Sequence, residues 1–373
     1  MGASSNEPTS ARIFSEAEER ENQASKLRLI EIVESRQALL LVGAGSSQRL
    51  GYVGWQALLA CLEQAAVECN ESFTPNENKR AEKPLDYAYA IKKHIIKHDG
   101  NDNRFFATIH NLYLPKDPPH DGFHLQLVSL PFKAILTTNY DVVLESALSA
   151  FYAREYALTG TIHLPPNNSL VIGSDNPRGI DEYFHSLLED RPRRKIAHLH
   201  GIHDRKDSII LTKDDYDRFY GTKDQPGWTM HRKLLWSVFA TRRAVFVGYS
   251  LTADPLEEVL KIIGQDLWRW NADTHVAIMP ITQATAEIDK AKRRKLKDYG
   301  IDVYFYIAEN NDHSALEDLV SEIASKPSPY PVSVDPKPAP TANAMGDGVE
   351  HDLITQFELV SNRFEKVIKN DEA

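Results

Sequence analysis

Two histidines with a glycine beside them are the clearest candidates for proton transfer in this sequence. His198 and His200 are separated by one residue in the run HLHG, and Gly201 follows the second imidazole. Side chains alternate along a strand, so both imidazoles would face one side, and the glycine would let another backbone approach. Because histidine titrates near neutral pH, His200 could accept a proton from a sugar hydroxyl or water, and the spacing leaves open whether His198 assists it or only packs. A metal site that adds His203 and Asp204 is the weaker alternative, because the rest of the sequence has no ligand set with a spacing typical of metal sites.

A second polar segment, TTNYD at residues 137–141, directly follows an apolar run. Its Thr138, Asn139 and Asp141 are hydrogen-bonding side chains at the carboxyl end of an expected strand, where ligands bind in doubly wound sheets. The Asn139 amide could orient a water or the hydroxyls of a sugar. The alternative is that Asn139 or Asp141 only caps the helix that follows.

Two glycine-containing segments also follow apolar runs. The residues concerned are Gly43, Ala44, Gly45 and Ser46 in the first segment and Gly248 and Ser250 in the second. Glycines let a backbone approach a ligand, and exposed amides can hold a pyrophosphate. Neither the full dinucleotide fingerprint nor the lysine of a phosphate-binding loop is present, so a tight strand-to-helix turn is an equal alternative for the first segment. In the second, Asp254 before Pro255 could simply cap a helix.

Short apolar runs and helical stretches that position these segments alternate along the chain. The expected strands are residues 38–42, 134–138, 195–201, 244–248, 275–281 and 303–307, and helical spacing appears at 55–67, 141–150, 256–263 and 284–296. This alternation predicts an α/β fold, a doubly wound parallel sheet with helices on both faces. Residues 70–131 are expected to be a mainly helical insertion and residues 151–194 an irregular one, both covering the carboxyl edge of the sheet.

Composition limits the class of protein. The chain has 373 residues, 42% hydrophobic and 26% charged, with a formal net charge of -10. An acidic balance weighs against direct nucleic-acid binding. Cys61 and Cys69 are the only cysteines, too few for a disulfide framework or a four-cysteine zinc site, and they fit a reducing, cytoplasmic setting. No apolar run is long enough to predict a membrane span.

The predicted organisation has four parts. Residues 1–25 are expected to be a mobile arm, residues 26–325 the catalytic domain, residues 326–350 a proline-rich linker, and residues 351–370 an amphipathic helix. In that helix the apolar residues are spaced alternately by four and three positions, as in a seam that packs against a partner helix; they are Leu353, Phe357, Val360, Phe364 and Val367. The helix could contact a second copy or a partner, or fold back on its own domain.

The order of the four polar segments is similar to that of the sirtuin family. GAGSS, TTNYD, HLHG and GYSL follow one another here, as a glycine-alanine-glycine loop, a Thr-Gln-Asn-Ile-Asp segment, a His-Gly pair and a Gly-Thr/Tyr-Ser segment do in sirtuins. The resemblance covers about residues 37–325. Gly54-Trp55 and the run TKDDY at residues 212–216 make the chain more narrowly similar to the bacterial sirtuin-like NAD hydrolases of anti-phage defence.

The resemblance implies a Rossmann-like fold with NAD as the substrate. It assigns catalytic roles to Asn139 and to His200 as the base. The implied NAD-binding residues are Gly43, Ala44, Gly45, Ser46, Thr138, Asp141, Gly248 and Ser250. It also implies a homo-oligomer, and for some relatives a partner ATPase of the HerA type, so regulation by assembly or by a separate partner is expected.

Two departures from the sirtuin pattern bear on the reaction. Gly54-Trp55 replaces the Phe-Arg pair of sirtuin deacetylases, and there are no cysteines for their zinc module. The resemblance therefore implies no metal and puts lysine deacylation in doubt, with water as the attacking group and ADP-ribose and nicotinamide as products. A protein deacylase and a non-catalytic sensor of NAD or ADP-ribose remain the alternatives.

Overall fold

The centre of the fold is a seven-stranded sheet in which every strand pair is parallel. In this computed structural model the described residues are 13–159, 169–171, 183, 187, 196–221, 229–249, 260 and 275–325. The strands are β1 Leu39–Val42, β2 Ala134–Thr137, β3 Ser169–Val171, β4 Ile196–His198, β5 Ala244–Val247, β6 His275–Ile281 and β7 Ile301–Ile307. Their order across the sheet is β3-β4-β2-β1-β5-β6-β7.

Strand β1 shows why these apolar runs form a two-sided sheet. All four of its side chains are buried. Leu39 and Leu41 belong to the apolar core on one face, and Leu40 and Val42 belong to the core on the other. A strand that alternates between two buried faces needs apolar residues at every position, which is typical of parallel sheets covered by helices on both sides. The predicted doubly wound α/β fold is confirmed.

The strand order places β1 at the point where the chain changes direction across the sheet. Strand β2 lies on one side of β1 and β5 lies on the other. A doubly wound sheet opens a crevice at such a switch point, outside the carboxyl ends of the strands. The glycine loop after β1, the polar segment after β2, the histidines at β4 and the glycine after β5 all come to this edge.

Helices cover the sheet and build the insertions. They are α1 Glu16–Glu34, α2 Ala44–Gln48, α3 Trp55–Cys69, α4 Glu77–Glu82, α5 Pro84–Asp99, α6 Asn103–Tyr113, α7 Gly122–Ser129, α8 Val143–Thr159, α9 Lys213–Tyr220, α10 Met230–Thr241, α11 Ala286–Lys297 and α12 Ser314–Ser325. Short 3₁₀ turns occur at Lys206–Ser208 and Glu309–Asn311. Among the described residues, no helix has the length and apolar character needed to cross a membrane.

Helix α1 begins ten residues before the predicted domain boundary at residue 26. Ser15 and Glu18 form a capping box, in which each side chain accepts from the other residue's backbone amide. Further along, the Asn22 amide donates to the backbone carbonyl of Phe305 at 2.9 Å and accepts from its N–H at 2.8 Å. The polar composition predicted a mobile arm here, but this part of the helix is anchored to strand β7 by polar contacts.

The helical insertion at residues 70–131 packs beside the site edge. It contributes Phe105 and Ile109 to a third apolar core, which also contains Tyr140 from the polar segment after β2 and Leu211 from the segment after β4. The insertion therefore supports the backbone on which the candidate site is built.

Helices α9, α10 and α12 were not among the predicted elements, and two short elements were also missed. Strand β3 lies inside residues 151–194, which were expected to be irregular, and helix α2 begins directly after Gly43. Both elements are short, so neither has enough residues to show a periodic pattern. The expected helix at 256–263 falls almost wholly outside the described residues, as do the linker at 326–350 and the amphipathic helix at 351–370.

Candidate functional site

The glycine loop after β1 and the glycine after β5 touch through their backbones. Gly43 N–H donates to Val247 O and Gly45 N–H donates to Gly248 O, each at 2.9 Å. A Cβ atom on Gly43 would lie 2.5 Å from Gly248 O, and one on Gly45 would lie 2.9 Å from it. Side chains at these positions would force the two loops apart. The predicted glycine requirement thus has a local cause, the close approach of two chain segments.

Gly248 completes this contact from the other side. Its φ is +65°, in the left-handed region that side chains disfavour, and a Cβ there would lie 2.5 Å from Ser46 N. Ser46 N–H donates to Gly43 O at 3.1 Å, and the Ser46 hydroxyl donates to the same carbonyl at 2.9 Å. A phosphate bound by the Gly45 and Ser46 amides would compete with these internal hydrogen bonds.

Asn139 reaches from the segment after β2 into the glycine loop. Its Nδ2 group donates to Gly43 O at 3.2 Å and to Ser47 Oγ at 3.1 Å. Its Oδ1 is buried and has no hydrogen-bond partner among the described residues. A buried acceptor without a partner is costly, and in a site it is an available acceptor for a ligand hydroxyl or water. These side-chain contacts go to the glycine loop and not to helix α8, so they do not support the alternative that Asn139 only caps that helix.

Asp141 is a buried carboxyl with a local backbone contact. Its Oδ1 accepts from Val143 N–H at 3.1 Å, so the capping alternative does describe this residue. Burial raises the pKa of Asp141 to about 6, opposed by hydrogen bonds from Val143 N–H and the Ser47 hydroxyl; nearby Glu145 raises this pKa further and His198 lowers it. The carboxyl therefore changes charge close to neutral pH.

His200 lies at the same level of the sheet edge as Asn139. Thr137 and His198 are register partners in adjacent strands, and Leu199 N–H donates to Thr137 O at 2.8 Å, so the residues two positions further on leave the sheet side by side. The His200 ring is buried, and its Nε2 is 3.1 Å from the hydroxyl oxygen of Tyr220. The strand pairing thus brings the two predicted catalytic residues to one edge.

The glycine that follows His200 is required by its surroundings. Gly201 has a φ of +87°, and a Cβ there would lie 2.2 Å from the carbonyl oxygen of Ser208. The His200 carbonyl accepts from Ile210 N–H at 3.0 Å, which ties the strand end to the segment that leads into α9. That helix carries Tyr220, so the same turn positions the base and the phenol beside it.

The other imidazoles of this region point to separate partners. His198 contacts Glu145 and the backbone of Asn139, whereas His203 Nδ1 lies 3.3 Å from His110 Nδ1. Within the described ranges, no group of three or more His, Cys, Asp or Glu side chains could hold a metal ion. The alternative metal site of His198, His200, His203 and Asp204 is thus not among the groups that these described residues form.

The remaining predicted residues have defined places, with one exception. Ala44, Gly45 and Ser46 lie in the short helix α2, and Thr138 is half-buried with its N–H 3.4 Å from Val42 O. Ser250 lies outside the described residues. No role was predicted for three other residues that contact the site, Ser47, Glu145 and Tyr220. Only Ser47 had a signal, since it is part of the GAGSS segment; the other two come close only through the fold.

The sequence of the region that carries this site is similar to that of a known family. Residues 133–304 match the sequence family described as the SIR2-like domain. This part of the chain, a little under half of its length, is similar to SIR2-like domains. The matched range includes the Asn139 and His200 segments and the glycine after β5, so the resemblance to sirtuin-like proteins predicted from the four motifs is confirmed.

Three related proteins carry the name NAD(+) hydrolase ThsA. The protein from Enterococcus faecium is 23% identical over 80% of this chain and 57% of its own length. Those from Cytobacillus dafuensis and Bacillus cereus strain MSX-D12 are 23% and 24% identical, each over 61% of this chain and over 39% and 40% of their own lengths. The alignments thus span between about two fifths and three fifths of the length of these relatives.

Proposed function

We propose that this chain is an NAD glycohydrolase that cleaves NAD to ADP-ribose and nicotinamide. The observation that carries the proposal is the placement of Asn139 and His200 on adjacent parallel segments at the switch-point edge, with an unpartnered buried oxygen on Asn139. The SIR2-like domain and the names of the related NAD(+) hydrolases support NAD as the substrate.

The chemistry requires stabilisation of the sugar more than activation of the leaving group. Nicotinamide leaves NAD as a neutral molecule from a cationic pyridinium, so no acid has to protonate it. The ribose carbon develops oxocarbenium character and is attacked by water. The protein must therefore place a nucleophile and accept its proton while negative charge or dipoles face the sugar.

Each group in the site has a role in this scheme. Asn139 Oδ1 accepts from the attacking water or from a ribose hydroxyl, while the Nδ2 contacts to Gly43 and Ser47 hold the amide in one orientation. His200 accepts a proton from the ribose or, through it, from the water, and its Tyr220 contact fixes the ring. Asp141 supplies a carboxylate near the nicotinamide ribose.

The resemblance assigns the rest of the coenzyme to the loops, where the Gly45 and Ser46 amides would exchange their internal hydrogen bonds for the phosphates. Gly43, Ala44, Gly45 and Ser46 would face the pyrophosphate, with Thr138 beside them, and Gly248 and Ser250 would face the adenosine half. These assignments rest on the resemblance and on the meeting of the glycine loop with Gly248 at the switch point.

The test is NAD cleavage by the purified chain, with and without an acetylated peptide. Products without peptide support the hydrolase, products only with peptide indicate a deacylase, and saturable binding without products indicates a sensor. Asn139→Ala and His200→Ala should each reduce cleavage by about a hundredfold or more while the protein stays folded. Asn111→Ala and His98→Ala, exposed on α6 and α5, are matched controls that should retain the wild-type rate. Wild-type turnover in both site variants would contradict the assignment.

We also propose that the enzyme acts in anti-phage defence by depleting NAD when it is triggered. Such an activity has to be held inactive until it is needed, and a homo-oligomer or a separate partner of the HerA ATPase type could provide that control. The amphipathic segment at 351–370 is the proposed contact. Truncation before Lys326 should change the number of chains per particle, determined by light scattering, or abolish partner binding. The same number of chains and unchanged binding would contradict this role.

A further inference from the structure

The imidazole of His198 is fully buried and uses both of its ring nitrogens. Nε2 lies 2.5 Å from Glu145 Oε1, and Nδ1 lies 3.0 Å from the backbone oxygen of Asn139. Glu145 is on helix α8, which packs on one face of the sheet, so the contact joins that helix to the strand end. The HLHG motif therefore carries two histidines with different surroundings.

The two partners of His198 decide its protonation state. A backbone carbonyl can only accept a hydrogen bond, and so can an ionised carboxylate. With an acceptor facing each ring nitrogen, this geometry favours the doubly protonated form of His198. Burial lowers the pKa of His198, but the charge and hydrogen bond of Glu145 and the Asn139 carbonyl outweigh it, so the pKa lies above its ordinary value.

This pair acts on the peptide group that carries the proposed catalytic amide. The Asn139 N–H donates to Thr137 Oγ1 at 3.0 Å, while its carbonyl accepts from His198. The backbone of Asn139 is thus held from both ends, and its side chain is directed to Gly43 and Ser47.

We propose that Glu145 and His198 form one positioning unit that fixes Asn139 for the reaction. The inference rests on the proposed NAD hydrolysis for its functional consequence, but not for the state of the pair itself. Both are positioning residues, since they act through Asn139. The resemblance to sirtuins assigns the chemistry to Asn139 and His200, and the geometry adds the two residues behind Asn139.

The kinetic test uses His198→Gln, Glu145→Gln and the double variant. Each single variant should lower kcat by about 10- to 100-fold and leave KM within about threefold, because a displaced catalytic group costs rate more than binding. The double variant should be no slower than the slower single variant, since the two residues form one unit. Losses that multiply, or a wild-type kcat in Glu145→Gln, would overturn the proposal.

A matched control separates positioning from the general cost of removing a buried imidazole. His275 is fully buried at the start of β6, the opposite end of the sheet, where its Nδ1 accepts from Ala244 N–H at 3.1 Å. His275→Gln should lower the unfolding midpoint and leave kcat unchanged. An equal fall in kcat in His275→Gln would show that the effect at residue 198 is not specific to the site.

NMR spectroscopy tests the Glu145–His198 pair independently of NAD cleavage. In ¹⁵N spectra at pH 7.5, both His198 ring nitrogens should be protonated in the wild type, and one should lose its proton in Glu145→Gln. The Asn139 side-chain amide signal should shift in His198→Gln. A neutral His198 in the wild type, or an unmoved Asn139 signal, would refute the unit; absence of cleavage in a protein with the expected spectra would count against the proposed function alone.

Discussion

Replacing Asp141 by asparagine should make the stability of the protein less sensitive to a rise in pH from 5 to 8 while reducing NAD cleavage. Burial raises the pKa of Asp141 from 3.8 to about 6, so the folded protein binds this proton more tightly than the unfolded chain does. The stability contributed by the protonated carboxyl is therefore lost as pH rises from about 3.8 to about 6. At about 1.4 kcal/mol for each pKa unit, the ionised carboxyl costs about 3 kcal/mol at pH 8.

The pH dependence of the effect is more diagnostic than its size. The asparagine oxygen can still accept from Val143 N–H, but the new NH₂ group costs about 1–3 kcal/mol if it stays unpaired. That cost does not vary with pH, whereas the cost of the carboxylate is about 1.6 kcal/mol at pH 5 and about 3 kcal/mol at pH 8. The stability difference between Asp141→Asn and the wild type should thus shift by about 1.4 kcal/mol in favour of the variant.

Urea unfolding at pH 5 and pH 8 measures this shift. The control is Asp318→Asn, which removes a carboxyl that is exposed on α12 rather than buried. NAD cleavage by Asp141→Asn should fall at pH 8, where the lost carboxylate would face the ribose. A stability difference that is constant between pH 5 and pH 8, or that moves against the variant, would refute the reasoning.

Three further substitutions test separate parts of the structure. Gly201→Ala should destabilise the protein by at least about 1–2 kcal/mol in urea unfolding, because φ is +87° and a backbone oxygen stands 2.2 Å from the new Cβ; a neutral result would mean that this turn relaxes freely. Tyr220→Phe removes the hydroxyl group that contacts Nε2 of His200 and should lower kcat by about 3- to 10-fold with little change in the unfolding midpoint. An unchanged kcat would show that this contact does not contribute to the reaction. Asn22→Ala breaks two hydrogen bonds to the Phe305 backbone and should cost about 1–3 kcal/mol, measured against Asn111→Ala; equal stability of the two variants would contradict this anchor.

The sheet and its binding edge were predictable from local patterns because buried parallel strands are apolar at every position. Once the runs at residues 38–42, 134–138 and 244–248 are taken as parallel strands, their carboxyl ends must share an edge. With the run at 195–201 added, Asn139 and His200, sixty-one positions apart in the sequence, are predicted to lie at the same edge. Their shared catalytic role came from the resemblance to sirtuins and stays a prediction.

The contacts behind the site could not be predicted in the same way. The approach of Glu145 to His198 depends on how helix α8 rotates as it packs, and the approach of Tyr220 to His200 depends on the turn between β4 and α9. Neither is set by residue spacing. The start of α1 did have a local signal, the capping box of Ser15 and Glu18. The polar composition of the segment led instead to the prediction of a mobile arm.

The Asn22 contact also has a consequence for how copies of the chain can meet. Strand β7 is the last strand of the sheet, and an uncovered terminal strand is a template on which another molecule can add its own strand. The Asn22 amide occupies the N–H and the carbonyl of Phe305 in the middle of that strand, much as a neighbouring backbone would. Addition of a strand from another molecule is thereby opposed at this position of the β7 border.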